Sequence, residues 1–244
     1  MSETLVIFRR ELKSYFVSPI AYVFGVLLLG VLLFLASLQT LQNGAQANMQ
    51  SFFGLAPIVL ILFLPGLTMR LWAEEQKLGT IQLLMTFPVR TWGLVIGKFA
   101  AAVLFLAFVL AMTLGLPLTL SIYGKLDWPP VLGSYLACLL FASSFVAVGM
   151  FWSSTTSDQI VAMLLSLVSL LVLYLLGWPV LIDALTGWIP AWGIDVLNGV
   201  SPNKYFESIA RGVVDTRDIV YFACFCGFFL YLNALMLKSR RHNG

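Results

Sequence analysis

The residues best suited to chemistry stand together in one segment, residues 70–90, Arg-Leu-Trp-Ala-Glu-Glu-Gln-Lys-Leu-Gly-Thr-Ile-Gln-Leu-Leu-Met-Thr-Phe-Pro-Val-Arg. Residues 14–69 contain no charged side chain, whereas this segment has both signs of charge and an acidic pair, Glu74 and Glu75. Carboxylates favour the positive N-terminal end of a helix. Because of its charges, the segment is predicted to be a structured polar connection rather than a further apolar span.

The second half of this segment predicts a short helix. Thr80, after Gly79, can cap its start, and Pro88 would end it. Ile81, Leu84 and Met85 follow helical i, i+3, i+4 spacing and would form one apolar face. A helix of under three turns is not stable alone, so it needs lipid headgroups, the base of a bundle or another protein to lie against. The alternative is a loop that merely links two spans.

Motifs for catalysis and cofactor binding are missing. Residues 93–98 resemble a phosphate-binding loop only superficially, because the spacing is one residue short and no Ser or Thr follows Lys98. The single histidine, His242, lies in a terminal tail, and no cluster has metal-ligand spacing. We therefore expect no cofactor bound by this chain, and a membrane enzyme is the least favoured function.

The composition indicates an all-α integral membrane protein. Hydrophobic residues make up 60% of the chain and charged residues only 10%, against about 25% charged in soluble domains. Net charge is only +3, which gives no reason to expect a nucleic-acid partner. We expect one transmembrane domain over residues 1–244, with six spans near 19–38, 52–72, 92–123, 131–152, 159–178 and 218–237.

The cores of these spans have no ionisable side chain. Proton- and ion-coupled carriers usually keep such groups at membrane depth. Lys98 lies near the start of the third span, where its stem could extend to the membrane surface. If the chain moves a substrate, its energy is therefore expected to come from another subunit.

Residues 3–16 predict an amphipathic helix at the membrane interface. Leu5, Phe8 and Leu12 recur at helical spacing, with Tyr15 or Phe16 following. The basic residues lie largely on the other side, facing lipid headgroups: Arg9, Arg10 and Lys13. A solvated helical start with no special role is the alternative.

Residues 180–217 predict an extracytoplasmic excursion of re-entrant or interfacial helices. Asp183 and Asp195 make a seventh span costly. Ser201 and Pro202 are typical of a helix start, and Gly212 of a helix end. With six spans, ten Lys and Arg residues lie on the side of the termini and four on the other. The positive-inside rule then places both termini and residues 74–90 in the cytoplasm.

The segment after span two resembles that of ABC-2-type exporter permeases. The shared pattern is an acidic pair, Gly79-Thr80, an apolar helix, Pro88 and then Gly97-Lys98. The resemblance covers nearly the whole chain, including an N-terminal helix with Arg-Arg-Glu-Leu and a basic tail. The late Ser-Pro…Tyr-Phe-Glu-Ser…Arg-Gly-Val-Val-Asp, beginning at Ser201, is similar to the subgroup of gliding-motility permeases.

This resemblance implies a transmembrane subunit in the bacterial inner membrane that works with a separate ATPase, which binds ATP and Mg²⁺. The segment at 74–90 would be the coupling helix and residues 3–16 the connecting helix. A homodimer or second permease would complete the unit, and a periplasmic partner is possible. A membrane anchor or scaffold without transport is the alternative. The implied coupling residues are Glu74, Glu75, Gly79, Thr80, Leu83, Leu84 and Pro88.

Overall fold

The computed structural model describes the chain except residues 1–2, 43–48, 81–90, 124–125, 186–187, 213 and 243–244. The regular elements of this part are α-helices, so the all-α prediction is confirmed for it. In chain order they are α1 Glu3–Val17, α2 Pro19–Gln42, α3 Gln50–Thr68, α4 Arg70–Lys77, α5 Thr91–Met112, α6 Gly115–Tyr123, α7 Trp128–Thr155, α8 Gln159–Leu175, α9 Pro179–Leu185, α10 Ala191–Val200, α11 Pro202–Ala210 and α12 Thr216–His242.

Five helical stretches of the described chain are long and apolar enough to cross a membrane. They are α2, α3 with α4, α5 with α6, α7, and α12. A sixth crossing exists if α8 and α9 count as one span, although these two helices are bent by 68° at their junction. Five of the six predicted spans correspond to the five stretches, and the predicted span at 159–178 corresponds to the bent pair. The chain is a multi-pass membrane protein.

Span two is longer than predicted, because helix continues past residue 72 to Lys77. Helix α3 runs through both Pro57 and Pro65, and the interruption falls at Met69. Polar atoms freed at such a break need partners from neighbouring helices. Ser153 supplies them: its hydroxyl accepts from Trp72 N–H at 3.0 Å, accepts from Ala73 N–H at 3.1 Å, and donates to the Met69 carbonyl at 2.8 Å.

Ser153 therefore corrects one expectation from the sequence. The predicted fourth span ends at residue 152, but Ser153 and Ser154 also belong to α7 and are fully buried. The Gln76 side-chain amide donates to the Ser154 carbonyl at 2.8 Å. A buried hydroxyl needs hydrogen-bonding partners, and those of Ser153 lie on α4 and at the break before it. The end of α7 thus fixes α4.

Span three is also interrupted, near Thr113. Pro117 has no N–H to donate to the Thr113 carbonyl, which instead accepts from Leu116 N–H at 3.0 Å. The Thr113 hydroxyl donates to the Leu110 carbonyl at 2.6 Å and shares a hydrogen bond with the Tyr135 hydroxyl at 2.9 Å. The predicted single long helix is therefore two helices, α5 and α6.

Helix α7 is the centre of the bundle and packs against α3, α4, α5, α8, α11 and α12. Residues 141–150 of α7 are all buried. Gly149 lets α3 approach closely, since an added Cβ would lie 2.8 Å from the Thr68 Cβ. The Asn233 amide of α12 donates to the Met150 carbonyl at 2.9 Å.

The excursion between spans five and six contains α9, α10 and α11. Its predicted helix ends are confirmed: Ser201 caps α11 by accepting from Asn203 N–H, and Gly212 has a φ of 86°. Asp158 caps α8 and Asp215 accepts from Arg217 N–H at the start of α12. Trp188 is 89% exposed, which is typical of an aromatic side chain at a membrane interface.

Candidate coupling site

The predicted acidic pair lies at the end of a helix, not at its start. Glu74 and Glu75 lie in the last turn of α4, because span two continues as helix to Lys77. The chain then turns at Gly79, whose φ of 69° is in the left-handed region that glycine adopts without steric cost. Leu78 N–H donates to the Glu74 carbonyl at 3.0 Å. The expected match was with the start of the short helix after Gly79, and residues 81–90 of that helix lie outside the described residues.

Thr80 makes a hydrogen bond to the end of α4. Its hydroxyl donates to the Glu75 carbonyl at 3.3 Å, on the C-terminal end of α4. Residues 81–90, with Leu83, Leu84 and Pro88, lie outside the described residues. The coupling role of these three residues, and of Glu74, Glu75, Gly79 and Thr80, stays a prediction.

A buried lysine joins the helix that precedes this segment to the helix that follows it. Lys98 of α5 has a side chain only 3% exposed, and its Nζ lies 2.9 Å from Glu75 Oε1. The same Nζ donates to the Leu71 carbonyl at 2.9 Å and lies 4.8 Å from the centre of the Trp72 ring. The expectation that Lys98 extends to the membrane surface is wrong, because these acceptors meet it inside the protein.

Helix α1 contributes the second carboxylate. Glu11 Oε1 lies 3.3 Å from Lys98 Nζ and 2.7 Å from the Arg10 guanidinium. Arg10 also lies 3.5 Å from Glu75. Burial would raise the pKa of Glu11, but the charges of Lys98 and Arg10 outweigh it and lower that pKa below its ordinary value. These four side chains, two cations and two anions, are called the ion junction below.

The ion junction is electrically balanced, and its buried ammonium has a full set of acceptors. An ammonium has three donors, and Lys98 has three oxygen acceptors within 3.3 Å, from Leu71, Glu75 and Glu11. Two of them are carboxylates on different helices. Removing one partner of a buried pair leaves an uncompensated charge. Helices α1, α4 and α5 are therefore held together at this end of the bundle.

A second ion pair lies beside the ion junction. Glu74 receives both Arg70 Nε at 2.8 Å and Arg70 Nη2 at 3.0 Å, which is the bidentate geometry that suits a guanidinium. The other terminal nitrogen of Arg70 donates to the Ser18 hydroxyl at 2.7 Å. Ser18 separates α1 from α2, so this contact ties the start of span one to the end of span two.

Helix α1 rests on glycines of α5. A Cβ at Gly97 would lie 2.9 Å from Ile7 Cγ2, and one at Gly93 would lie 3.2 Å from the Thr4 hydroxyl. The buried edge of α1 is therefore the line of Ile7, Glu11 and Tyr15, while Leu5 of the predicted stripe is exposed. Arg9, Arg10 and Lys13 are exposed, as predicted for the basic side.

Sequence reasoning missed the two residues that matter most here, Glu11 and Lys98. A signal was available for each. Glu11 stands four residues from both Ile7 and Tyr15, so it lies on the same face as two apolar residues. Lys98 is the one charge between residues 91 and 124. Neither signal identifies the partner, since the pair joins helices distant in sequence.

Comparison with known families identifies the membrane domain. The model of the family described as ABC-2 family transporter protein matches residues 30–191, which is more than half of the chain. No curated protein matches the chain. The matched region contains α4, the predicted coupling segment and the start of α5, although α1 precedes it. The chain belongs to the ABC-2 family of transporter membrane proteins, which are permease subunits.

Proposed function

We propose that this chain couples ATP hydrolysis on a separate ATPase subunit to export or to mechanical work across the membrane. Family membership supports a permease subunit that pairs with an ABC ATPase. In this proposal the partner, not this chain, binds ATP and Mg²⁺. Residues 78–90 are the docking segment, and the ion junction carries its displacement into the bundle.

The ion junction is the observation that carries the proposal. The docking segment begins where α4 ends and finishes where α5 begins. Lys98 of α5 is bound to Glu75 of α4 and to Glu11 of α1. A displacement of the segment therefore moves three helices together rather than bending a single loop. Buried ionic groups of this kind hold a fixed geometry better than exposed pairs do.

The proposal also states which side of the membrane each part of the chain faces and what forms the other half of the export path. Both chain ends and the ion junction lie on the cytoplasmic side of a bacterial inner membrane, in accord with the ten Lys and Arg residues of that side. A second copy or a second permease forms the other half of the export path. Helices α9–α11 lie on the opposite side, where a periplasmic partner of the gliding-motility-type subgroup would bind.

Docking is tested by placing a carboxylate on the segment without touching the ion junction. Leu78→Asp and Leu84→Asp are the test variants. Leu78 is exposed just after α4, and Leu84 belongs to the predicted apolar face of the short helix. Glu75→Arg is less informative, since it would also break the contact with Lys98. Both variants should lose co-purification with the ATPase, because an apolar contact would be replaced by a desolvated charge. Val214→Asp, exposed before α12, is the matched control.

If both leucine variants retain the ATPase as fully as the Val214→Asp control, the docking proposal is wrong. Thermal unfolding of each variant in detergent is the control that checks whether its membrane domain is folded. ATPase activity of the complex is the second measurement, and it should fall only in the leucine variants.

Coupling is distinguished from a passive anchor by a change on the opposite side of the membrane. Asp195 on α10 is exposed and suits a cysteine probe, whereas Ser201 is buried and does not. In a chain without native cysteines, labelling of Asp195→Cys should depend on ATP when the ATPase is present. Labelling that is unchanged by ATP, in a complex that hydrolyses it, would favour a scaffold.

A further inference from the structure

A cavity of about 490 Å³ lies between α1, the start of α2 and the α3–α4 connection. Its wall is apolar at Ile20 and Leu67, on the two spans, and charged at Arg10, Arg70 and Glu74, near the helix ends. The cavity thus extends from the depth of the spans to the ion junction. Such a shape fits an amphipathic molecule.

Two buried polar atoms at this cavity have no partner in the described part of the chain. Tyr15 lines the cavity and is 9% exposed, and its hydroxyl makes no hydrogen bond there. Its ring is stacked on Phe105, with centroids 5.2 Å apart. Glu75 also lines the cavity, and its Oε2 is buried and unpaired. Buried groups of this kind normally have partners.

The Tyr15 hydroxyl is a donor at physiological pH. Burial, and then the nearby Glu11 carboxylate, raises its pKa. The unpaired atom of Glu75 is an acceptor. Both atoms are buried in the wall of the cavity, so a ligand reaches them only by displacing a neighbouring side chain. It then meets one unused donor and one unused acceptor, a combination that a ligand with both an anionic and a cationic group would satisfy.

The charges around the cavity sum to zero. Its wall contains three cations, Arg10, Arg70 and Lys98, and three carboxylates, Glu11, Glu74 and Glu75. A ligand with a single charge gains no net attraction from such a wall. Lys98 and Arg70 already donate to several acceptors, whereas the Arg10 side chain is 54% exposed.

We propose that this cavity binds the headgroup of a zwitterionic phospholipid, a phosphate diester that carries an amine. The phosphate lies toward Tyr15 and Arg10, and the amine toward Glu75. The acyl chains leave past Ile20, whose side chain is exposed at the start of span one. This lipid would bridge α1, α2 and α4 whether or not the docking proposal holds.

The test uses the full-length chain, purified in detergent and freed of lipid. The probe is dioctanoyl phosphatidylethanolamine, and the measurement is the rise in the thermal unfolding midpoint with probe concentration. Tyr15→Phe keeps the stacked ring and removes the unpaired hydroxyl. It should raise the half-saturating probe concentration about tenfold, as the loss of one charge-assisted hydrogen bond does.

Tyr22→Phe is the matched control, because Tyr22 is an exposed tyrosine on α2. It should bind the probe as the unmodified chain does. Without probe, Tyr15→Phe should unfold at the same or a higher temperature, since it removes an unpaired buried hydroxyl. Weaker binding by this variant therefore does not reflect misfolding.

The proposal is wrong if any of three results is obtained. The first is that dioctanoylglycerol, which has the same chains and no headgroup, raises the unfolding midpoint as much as dioctanoyl phosphatidylethanolamine does. The second is that O-phosphoethanolamine alone saturates the site at the same concentration as the lipid, which would indicate a soluble ligand. The third is that Tyr15→Phe binds the lipid as tightly as Tyr22→Phe does.

Discussion

Lys98 is the residue on which the ion junction depends most. Lys98→Met keeps most of the side-chain length but removes the charge that neutralises Glu11 and Glu75. The unfolding free energy should fall by about 3–5 kcal/mol, the usual cost of breaking a buried pair from one side. Chemical unfolding in detergent measures this change.

Lys77→Met is the control for the same chemical change at an exposed position of α4. Its effect should stay within about 0.5 kcal/mol, as for most surface substitutions. The loss of unfolding free energy in Lys98→Arg should lie between those of Lys98→Met and Lys77→Met, because a planar guanidinium does not reproduce the three-directional donors of an ammonium. Equal unfolding free energies for Lys98→Met and Lys77→Met would contradict the structural role of Lys98.

Glu11 makes the stability of the ion junction depend on pH. Its folded-state pKa is lowered below the ordinary value of 4.5, so its contribution is fully present above that pH. The contribution is lost as the pH falls through the lowered folded-state pKa, because a protonated Glu11 no longer attracts Lys98 and Arg10. Glu11→Gln should be less stable than the unmodified chain at neutral pH.

The measurement is the unfolding midpoint of both proteins from neutral pH to below 4.5. The difference between them should shrink in the acidic part of this range. A difference that is constant across the whole range would show that Glu11 stabilises the junction by packing and not by charge.

At the scale of helices, the contact of α3 with α7 depends on one glycine. A Cβ at Gly149 would lie 2.1 Å from the Thr68 hydroxyl and 2.8 Å from the Thr68 Cβ, which a rotamer change cannot move away. Gly149→Ala should therefore cost about 1–3 kcal/mol, the range for overpacked interiors. It should also disturb the nearby bonds of Ser153 to α4.

Gly54→Ala on α3 is the control, since nothing lies within 4 Å of its added Cβ. It should be neutral or stabilising by up to about 1 kcal/mol, because alanine favours helix more than glycine does. Thermal unfolding of the two variants in the same detergent compares them. A Gly149→Ala protein as stable as Gly54→Ala would mean that α3 and α7 separate without cost.

Helix ends were predictable from the sequence, because their signals are local. Asp158, Ser201, Gly212 and Asp215 all act as their residue types indicate. The positions of the breaks and the ion junction were not predictable. Ser153 stabilises a break in a helix at least 80 residues away, and local sequence contains no record of that contact. Apolar periodicity also says little in a chain whose spans are apolar on every side.

At the scale of the whole molecule, the bent pair α8–α9 decides how many times the chain crosses the membrane. Helix α8 has 17 residues, which gives a length of about 26 Å at 1.5 Å per residue. That is close to the hydrocarbon thickness of about 30 Å. Helix α9 begins at Pro179 after a bend of 68°, so α8 supplies most of the crossing. We therefore expect six crossings, with α1 and the end of α12 on one side.

This prediction is tested with single cysteines at exposed positions in a chain whose three native cysteines are replaced. Lys13→Cys on α1 and Ser239→Cys on α12 should react with a membrane-impermeant maleimide only in inverted vesicles. Asp195→Cys on α10 should react only in right-side-out vesicles. With five crossings, the cysteines at 13 and 239 would react in opposite preparations, and the tail with Lys238 would lie apart from the ion junction. Reaction of both in inverted vesicles places the ion junction, the docking segment and both ends of the chain on the side that has ATP.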